Sequence, residues 1–208
     1  MIRITEVLSY FSEPWLVDWK LRTGKAEANR IGKASMRIGS RVDEVIKSCC
    51  PILNQTYIYS LPSKEKDEVR QCLEAFNKWM NVYKPKEVIS GTRLYATIEG
   101  QEVTGEPDIF VDGVLVDIKC ASKISPSYWV QVNMYEYLNF MSKFPDGTIY
   151  FPRKVGILRL DKTTGSYEYV VKEFDRKLCD VWCGLMRAMV YFKGDNHVGC
   201  ELPEVGEV

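Results

Sequence analysis

Two aspartates, a glutamate and a lysine in GEPDIFVDGVLVDIK, residues 105–119, are the side chains most open to a chemical reading. Two apolar runs flank Asp112-Gly113, a dipeptide that favours a two-residue hairpin turn because both positions tolerate positive φ. With that pair as the loop, Val111 faces Val114, Asp108 lies opposite Asp117, and Glu106 lies opposite Lys119. Side chains alternate across a strand, so these four charged groups share one face, and Pro107, Ile109, Val111, Val114, Val116 and Ile118 form the other. Like charges directly opposed repel by a few tenths to ~1 kcal/mol. A divalent cation between them reverses that sign, and hard carboxylate oxygens suit Mg²⁺ or Mn²⁺. Lys119 would then stand where it can hold a nucleophilic water or steady a developing anion. A solvated hairpin with a Glu106–Lys119 salt bridge would carry the same residues, and spacing alone leaves both readings open.

The elements around this hairpin follow from periodicity. Pro14 suits a first helical position, and apolar spacing predicts helices from about Lys25 to Cys49 and from Ser63 to about Tyr83. The period then shifts to two, predicting strands near 92–98, 103–111 and 114–120. Ser125-Pro126 has the form of an N-cap followed by proline in the first turn and opens a helix to about Met141. Strands near 155–160 and 167–172 flank a turn at 162–165, and a last helix spans about 175–192. The order predicts one α/β domain over 1–194, helical over 1–84 and with its sheet and later helices over 85–194. The acidic stretch 195–208 reads as a flexible tail.

Bulk composition narrows the function classes. The 208 residues carry 28 basic and 28 acidic side chains, so no global field marks a polyanion-coating protein, although a local acidic cleft is compatible with that balance. No apolar run approaches the ~20 residues of a membrane span, and the N-terminus lacks a signal-peptide core, which points to the cytoplasm, or a host-cell cytoplasm for a viral protein. Seven cysteines, an odd number, fit reduced thiols. The single histidine, His197, leaves little scope for Ser–His or Cys–His hydrolysis. Neither a phosphate-binding Gly-x-x-x-x-Gly-Lys loop nor a dinucleotide fingerprint occurs.

Pro107-Asp108 followed by Asp117-Ile118-Lys119 resembles the signature of the PD-(D/E)XK nuclease superfamily. Gln131 and Tyr135, one helical turn apart, resemble the Gln-x-x-x-Tyr element of its RecB-type and lambda-exonuclease-like branch. RIGSRVDEVIK, residues 37–47, resembles the Gly-Thr-x-x-His-Glu stretch of RecB-like exonucleases, with Ser40 for Thr and Asp43 for the histidine. The resemblance covers roughly residues 4–138. It implies a restriction-endonuclease-like core, a small mixed β-sheet flanked by helices, and Mg²⁺- or Mn²⁺-dependent phosphodiester hydrolysis. Asp108, Asp117 and the Ile118 carbonyl would hold metal, with Asp43 or Glu44 completing the shell. Lys119 would position water, and Gln131 and Tyr135 would orient Lys119 or the DNA. Ser122, Lys123, Arg93, Arg41 and Arg37 become candidate phosphate contacts. Tyr128 and Trp129 become candidate stacking partners for an unpaired base. The implied function is a DNA exonuclease of recombination, repair or replication, with other proteins of those processes as candidate partners; a structure-selective endonuclease or a non-catalytic DNA-binding module are the alternatives. Some RecB-like nucleases hold an iron–sulfur cluster on one early cysteine and a tight late trio. Here Cys179, Cys183 and Cys200 are too widely spaced for that trio after Cys49 and Cys50, so no cluster is expected.

Overall fold

A computed structural model describes residues 1–11, 14–48, 62–143 and 153–194. The hairpin has the register that Asp112-Gly113 dictates: Val111 pairs with Val114, Phe110 with Leu115 and Ile109 with Val116. Asp112 and Gly113 have φ of 49° and 81°, the left-handed geometry that matches strand twist. The Asp112 carboxylate accepts the Lys86 and Glu87 amides at 2.9 Å, which ties the turn to strand β2, Val88–Ser90. Strands β5 (Ile109–Val111) and β6 (Val114–Lys119) then continue into β7 (Lys154–Leu160) and β8 (Tyr167–Glu173). The sheet order is β2-β5-β6-β7-β8, with β6 parallel to β7 and the other pairings antiparallel.

The single strand expected over 103–111 is two strands in two sheets. Strand β4 (Gln101–Gly105) pairs with β3 (Leu94–Ile98) and, in parallel, with the short β1 (Ile2–Arg3). The chain leaves that sheet after Gly105 and joins the larger one at Ile109. Pro107 has no N–H to give a ladder, which ends the run. Gly91 fixes the crossing: its amide donates to the Asp108 carbonyl at 2.9 Å, and a Cβ there would lie 1.9 Å from the Pro107 oxygen. Glu106 and Asp108 therefore sit off the ladder instead of facing Lys119 and Asp117 as ladder partners.

Helices cover both faces of the larger sheet. On one side α1 (Ile4–Tyr10), α5 (Pro126–Lys143) and α6 (Arg176–Lys193) close over Leu115, Val155 and Ile157. On the other, α3 (Lys25–Lys47) and α4 (Ser63–Tyr83) close over Ile109, Val111, Val116, Leu158 and Leu160. Helix α2 (Pro14–Thr23) leads into α3. Fully burying each such aliphatic side chain contributes about 1.5–3 kcal/mol, so β6 is held from both sides. The face of β6 that carries Asp117 and Lys119 also carries the buried Leu115, and is not solvated as a plain charged hairpin would be. The fold is the expected α/β arrangement, a mixed sheet flanked by helices. The short β1 and β2 had no counterpart in the sequence reading. Cys49, Cys50, His197, Cys200 and the stretch 195–208 lie outside the described residues. Among the described residues no helix is long and apolar enough to cross a membrane.

Candidate active site

The step between the two sheets releases Asp108 to turn its carboxylate across to β6. Its Oδ2 accepts the Ile118 amide at 2.6 Å, at the point where a regular ladder would have offered a main-chain oxygen. Asp117, one residue earlier on β6, points to the opposite face and is 1% exposed. Its Oδ1 accepts from Gln131 Nε2 at 3.3 Å, and the same amide nitrogen donates to the Tyr135 hydroxyl at 2.8 Å. The i, i+4 spacing on α5 thus aims a glutamine and a tyrosine at one carboxylate. Lys119 Nζ lies 2.8 Å from Asp117 Oδ2, close enough for an ion pair, yet that oxygen has no partner in hydrogen-bonding direction. The Tyr128 ring stands 5.1 Å from the same ammonium, within cation–π range.

Asp43 and Lys47, one turn apart on α3, sit beside Val42 and Ile46, which that helix buries. Asp43, Asp108, Asp117, Ile118, Lys119, Tyr128 and Gln131 line one pocket of about 480 Å³. Asp43 Oδ1 is buried there without a hydrogen-bond partner. Lys47 Nζ reaches Asp43 at 3.1 Å, Glu106 at 3.2 Å and Asp108 at 3.8 Å. Arg93 takes the other oxygen of Glu106 at 3.0 Å, so the Glu106–Lys119 bridge of the plain-hairpin reading does not form.

Electrostatics mark the same groups. Burial, reinforced by the charge of Asp117, pushes Asp108 up to about 6. Burial also raises Asp117, against the pull of Lys119. Asp43 is raised by burial and then by Asp108. Burial works to lower Lys119, but Asp117 and Asp108 outweigh it and the net shift is upward. Tyr135 is raised by burial and by Asp117, which keeps its hydroxyl protonated. Clustered carboxylates that resist ionisation are what a cation site looks like before the cation is counted.

The remaining expected contacts spread out. Ser122 and Lys123 are exposed on the loop after Lys119, outside the pocket wall. The Trp129 ring carries Lys172 at 4.1 Å on its face and does not line the pocket. Arg93 lines a separate cleft with Arg3 and Tyr135. Arg41 pairs with Glu44 at 2.7 Å, and Arg37 with Glu65 at 2.9 Å, on the outer side of α3. Glu44 thus stays out of the pocket that Asp43 enters. Sequence reasoning missed Lys47, although its i, i+4 relation to Asp43 was a usable signal. It also missed Arg159, which holds the Ala121 carbonyl at 3.3 Å and so steadies the loop after Lys119.

No protein-family profile matches the chain, and no curated protein matches it in sequence. Solved structures do resemble it. A protein of Eubacterium rectale provisionally assigned as an exonuclease superposes with a TM-score of 0.50 at 12% identity, over 76% of this chain and 65% of that one. This chain therefore spans under two thirds of that structure's length, and the likeness shows a shared fold. SSO0001 matches with a TM-score of 0.45 at 11% identity, over 93% of this chain and 76% of that one. The alkaline exonuclease of Laribacter hongkongensis matches with 0.43 at 14% identity, over 73% and 85%.

Proposed function

We propose that this protein is a Mg²⁺- or Mn²⁺-dependent DNA nuclease, of exonuclease type, that hydrolyses phosphodiester bonds in recombination, repair or replication. One observation carries the reading: Asp108, Asp117 and Lys119 converge in a single pocket, with Gln131 and Tyr135 bracing Asp117 from the neighbouring helix. A shared fold with a structure provisionally assigned as an exonuclease is in keeping with it.

The residues present fit a hard divalent cation. The Asp117 carboxylate is buried with the Lys119 ammonium 2.8 Å from its Oδ2, the donor set is all oxygen, and Asp108 accepts the Ile118 amide next to Asp117 on β6. Asp108, Asp117 and the Ile118 carbonyl would hold the ion, which would polarise a phosphoryl oxygen and offset the charge that grows on it. Lys119 is held as an ammonium by two aspartates, so it serves as a hydrogen-bond donor to water or a phosphate oxygen rather than as a base. Tyr128 and Asp117 fix its direction. Gln131 keeps the Asp117 carboxylate turned toward the pocket, and Tyr135 keeps Gln131 from rotating away.

End-labelled single- and double-stranded linear DNA, with closed circles beside them, tests the proposal in Mg²⁺ and in Mn²⁺. Linear substrates are expected to shorten in either ion with circles intact, and Lys119→Ala is expected to abolish the shortening. Opened circles would make the enzyme an endonuclease. No degradation in any lane would overturn the reading.

A further inference from the structure

Lys47 is a charged group of this region that the proposed chemistry does not use. It lies on the last turn of α3, four residues after Asp43, with one fifth of its side chain exposed. Its ammonium stands within ion-pair distance of three carboxylates, 3.1 Å from Asp43, 3.2 Å from Glu106 and 3.8 Å from Asp108. Asp43 and Glu106 come from a helix and from the crossing between two sheets, 63 positions apart by their numbers. A cation is what brings them together. Lys47 also reaches both Asp43 and the proposed metal ligand Asp108.

We infer that Lys47 is a built-in cation standing in the place of a second metal ion, so that the site holds one divalent ion and Asp43 serves as a counter-ion rather than a ligand. The inference rests on the metal-dependent reading above. A second dication beside Asp43 and Glu106 would meet the fixed ammonium at close range, and like charges there repel strongly in a half-buried setting. Glu44 offers no substitute, since it pairs with Arg41 on the outer side of α3. A purely structural role, stitching α3 to the crossing, would use the same contacts but would change stability and leave the number of bound ions alone.

Calorimetric titration of the full chain with MnCl₂ separates these. The wild type is expected to bind one Mn²⁺, and Asp117→Ala to bind none. Lys47→Met, which keeps the apolar stem, is expected to bind two, the second weaker than the first. Lys47→Gln, which keeps a hydrogen-bonding head, is titrated beside it and makes the same prediction should the Met variant not fold. Lys47→Arg is expected to bind one, and adding Asp43→Ala to Lys47→Met is expected to return the count to one. Asp43→Asn alone is expected to keep one ion with affinity changed by less than about threefold. A single ion in Lys47→Met and Lys47→Gln, two ions in the wild type, or a loss of tenfold or more in Asp43→Asn would each overturn the inference while leaving the metal site standing. A wild type that binds no Mn²⁺, or whose binding survives Asp117→Ala, would overturn the metal reading and this inference with it.

Discussion

At the residue scale, Asp108 has a consequence for stability that can be signed. Its folded-state value is about 6, against about 4 for an unfolded aspartate. The folded chain therefore keeps a proton that the unfolded chain has released, and this group's contribution to stability falls as pH rises from about 4 through about 6. Asp108→Asn has no such loss. Without divalent ions, the variant should match the wild type near pH 4 and exceed it by about 1–3 kcal/mol at pH 7.5, since each pKa unit is worth about 1.4 kcal/mol and part of the side chain meets solvent. Carboxylates whose values are lowered by partners, such as Glu6 and Glu65, are common to both proteins and cancel in the difference. Urea unfolding in chelator at three pH values measures it; a difference independent of pH would refute the assignment. Saturating Mn²⁺ should reverse the order, because binding to the folded state stabilises only the protein that keeps the ligand. The Asp-Gly turn and the Val111–Val114 register were legible from the sequence, but the ladder pairing that alternation implied for Glu106 and Asp108 does not form. Lys47 was overlooked: its i, i+4 spacing from Asp43 was a local signal, but its contact with Glu106, 59 residues away, has no local pattern.

At the scale of elements, the crossing from β4 to β5 is what turns a charged hairpin into a site, and two glycines set it. Gly91 faces the Pro107 carbonyl, a backbone atom that cannot swing aside, so Gly91→Ala must move the crossing itself. It is expected to cost about 2–4 kcal/mol and to weaken Mn²⁺ binding by displacing Asp108. Gly105 lies under the Tyr135 ring: a Cβ there would meet Cε1 at 2.7 Å and Ile4 Cδ1 at 2.8 Å. Overpacking of this kind costs about 1–3 kcal/mol. In a Tyr135→Leu background the Gly105→Ala penalty should shrink by more than half in a double-mutant cycle, and an unchanged penalty would show that the ring is not what the methyl group strikes. The long helices and the β7–β8 hairpin were readable because each has a clear period and a marked start or turn. Asp175, for instance, caps α6 by accepting the Lys177 amide at 2.9 Å. The break at Glu106–Asp108 was overlooked although Pro107 announced it, since a proline inside a strand pattern argues against a continuous ladder. β2 was missed for a different reason: three residues acquire strand geometry only by pairing with β5, whose partners lie 19 to 23 positions further on.

At the scale of the whole molecule, the sheet separates two apolar clusters, and each is built around a tryptophan that solvent does not reach. The two are not equivalent. Trp182 on α6 donates its indole N–H to the Ile4 carbonyl at 3.2 Å, which joins the last described helix to the first. Trp79 on α4 packs among Phe76, Tyr83 and Tyr169, with ring centroids 5.4–5.6 Å away, and its N–H is buried with no partner among the described residues. Replacing either by phenylalanine removes a similar volume, so the cavity cost is comparable. The polar cost differs in sign. At Trp182 the change removes a formed hydrogen bond to a carbonyl in the first turn of α1, whereas at Trp79 it deletes a donor that folding had already desolvated for nothing. Trp182→Phe is therefore expected to be the more destabilising by about 1–2 kcal/mol, read from urea midpoints at unchanged m-value. The comparison also bears on the site, because α1 and α6 support α5, and α5 carries Gln131 and Tyr135. If the indole bond locks that side of the sheet, Trp182→Phe should weaken Mn²⁺ binding along with stability, and Trp79→Phe should lower neither to the same degree. Equal losses from the two variants would mean that the Ile4 bond contributes nothing and that packing alone places α5 over Asp117.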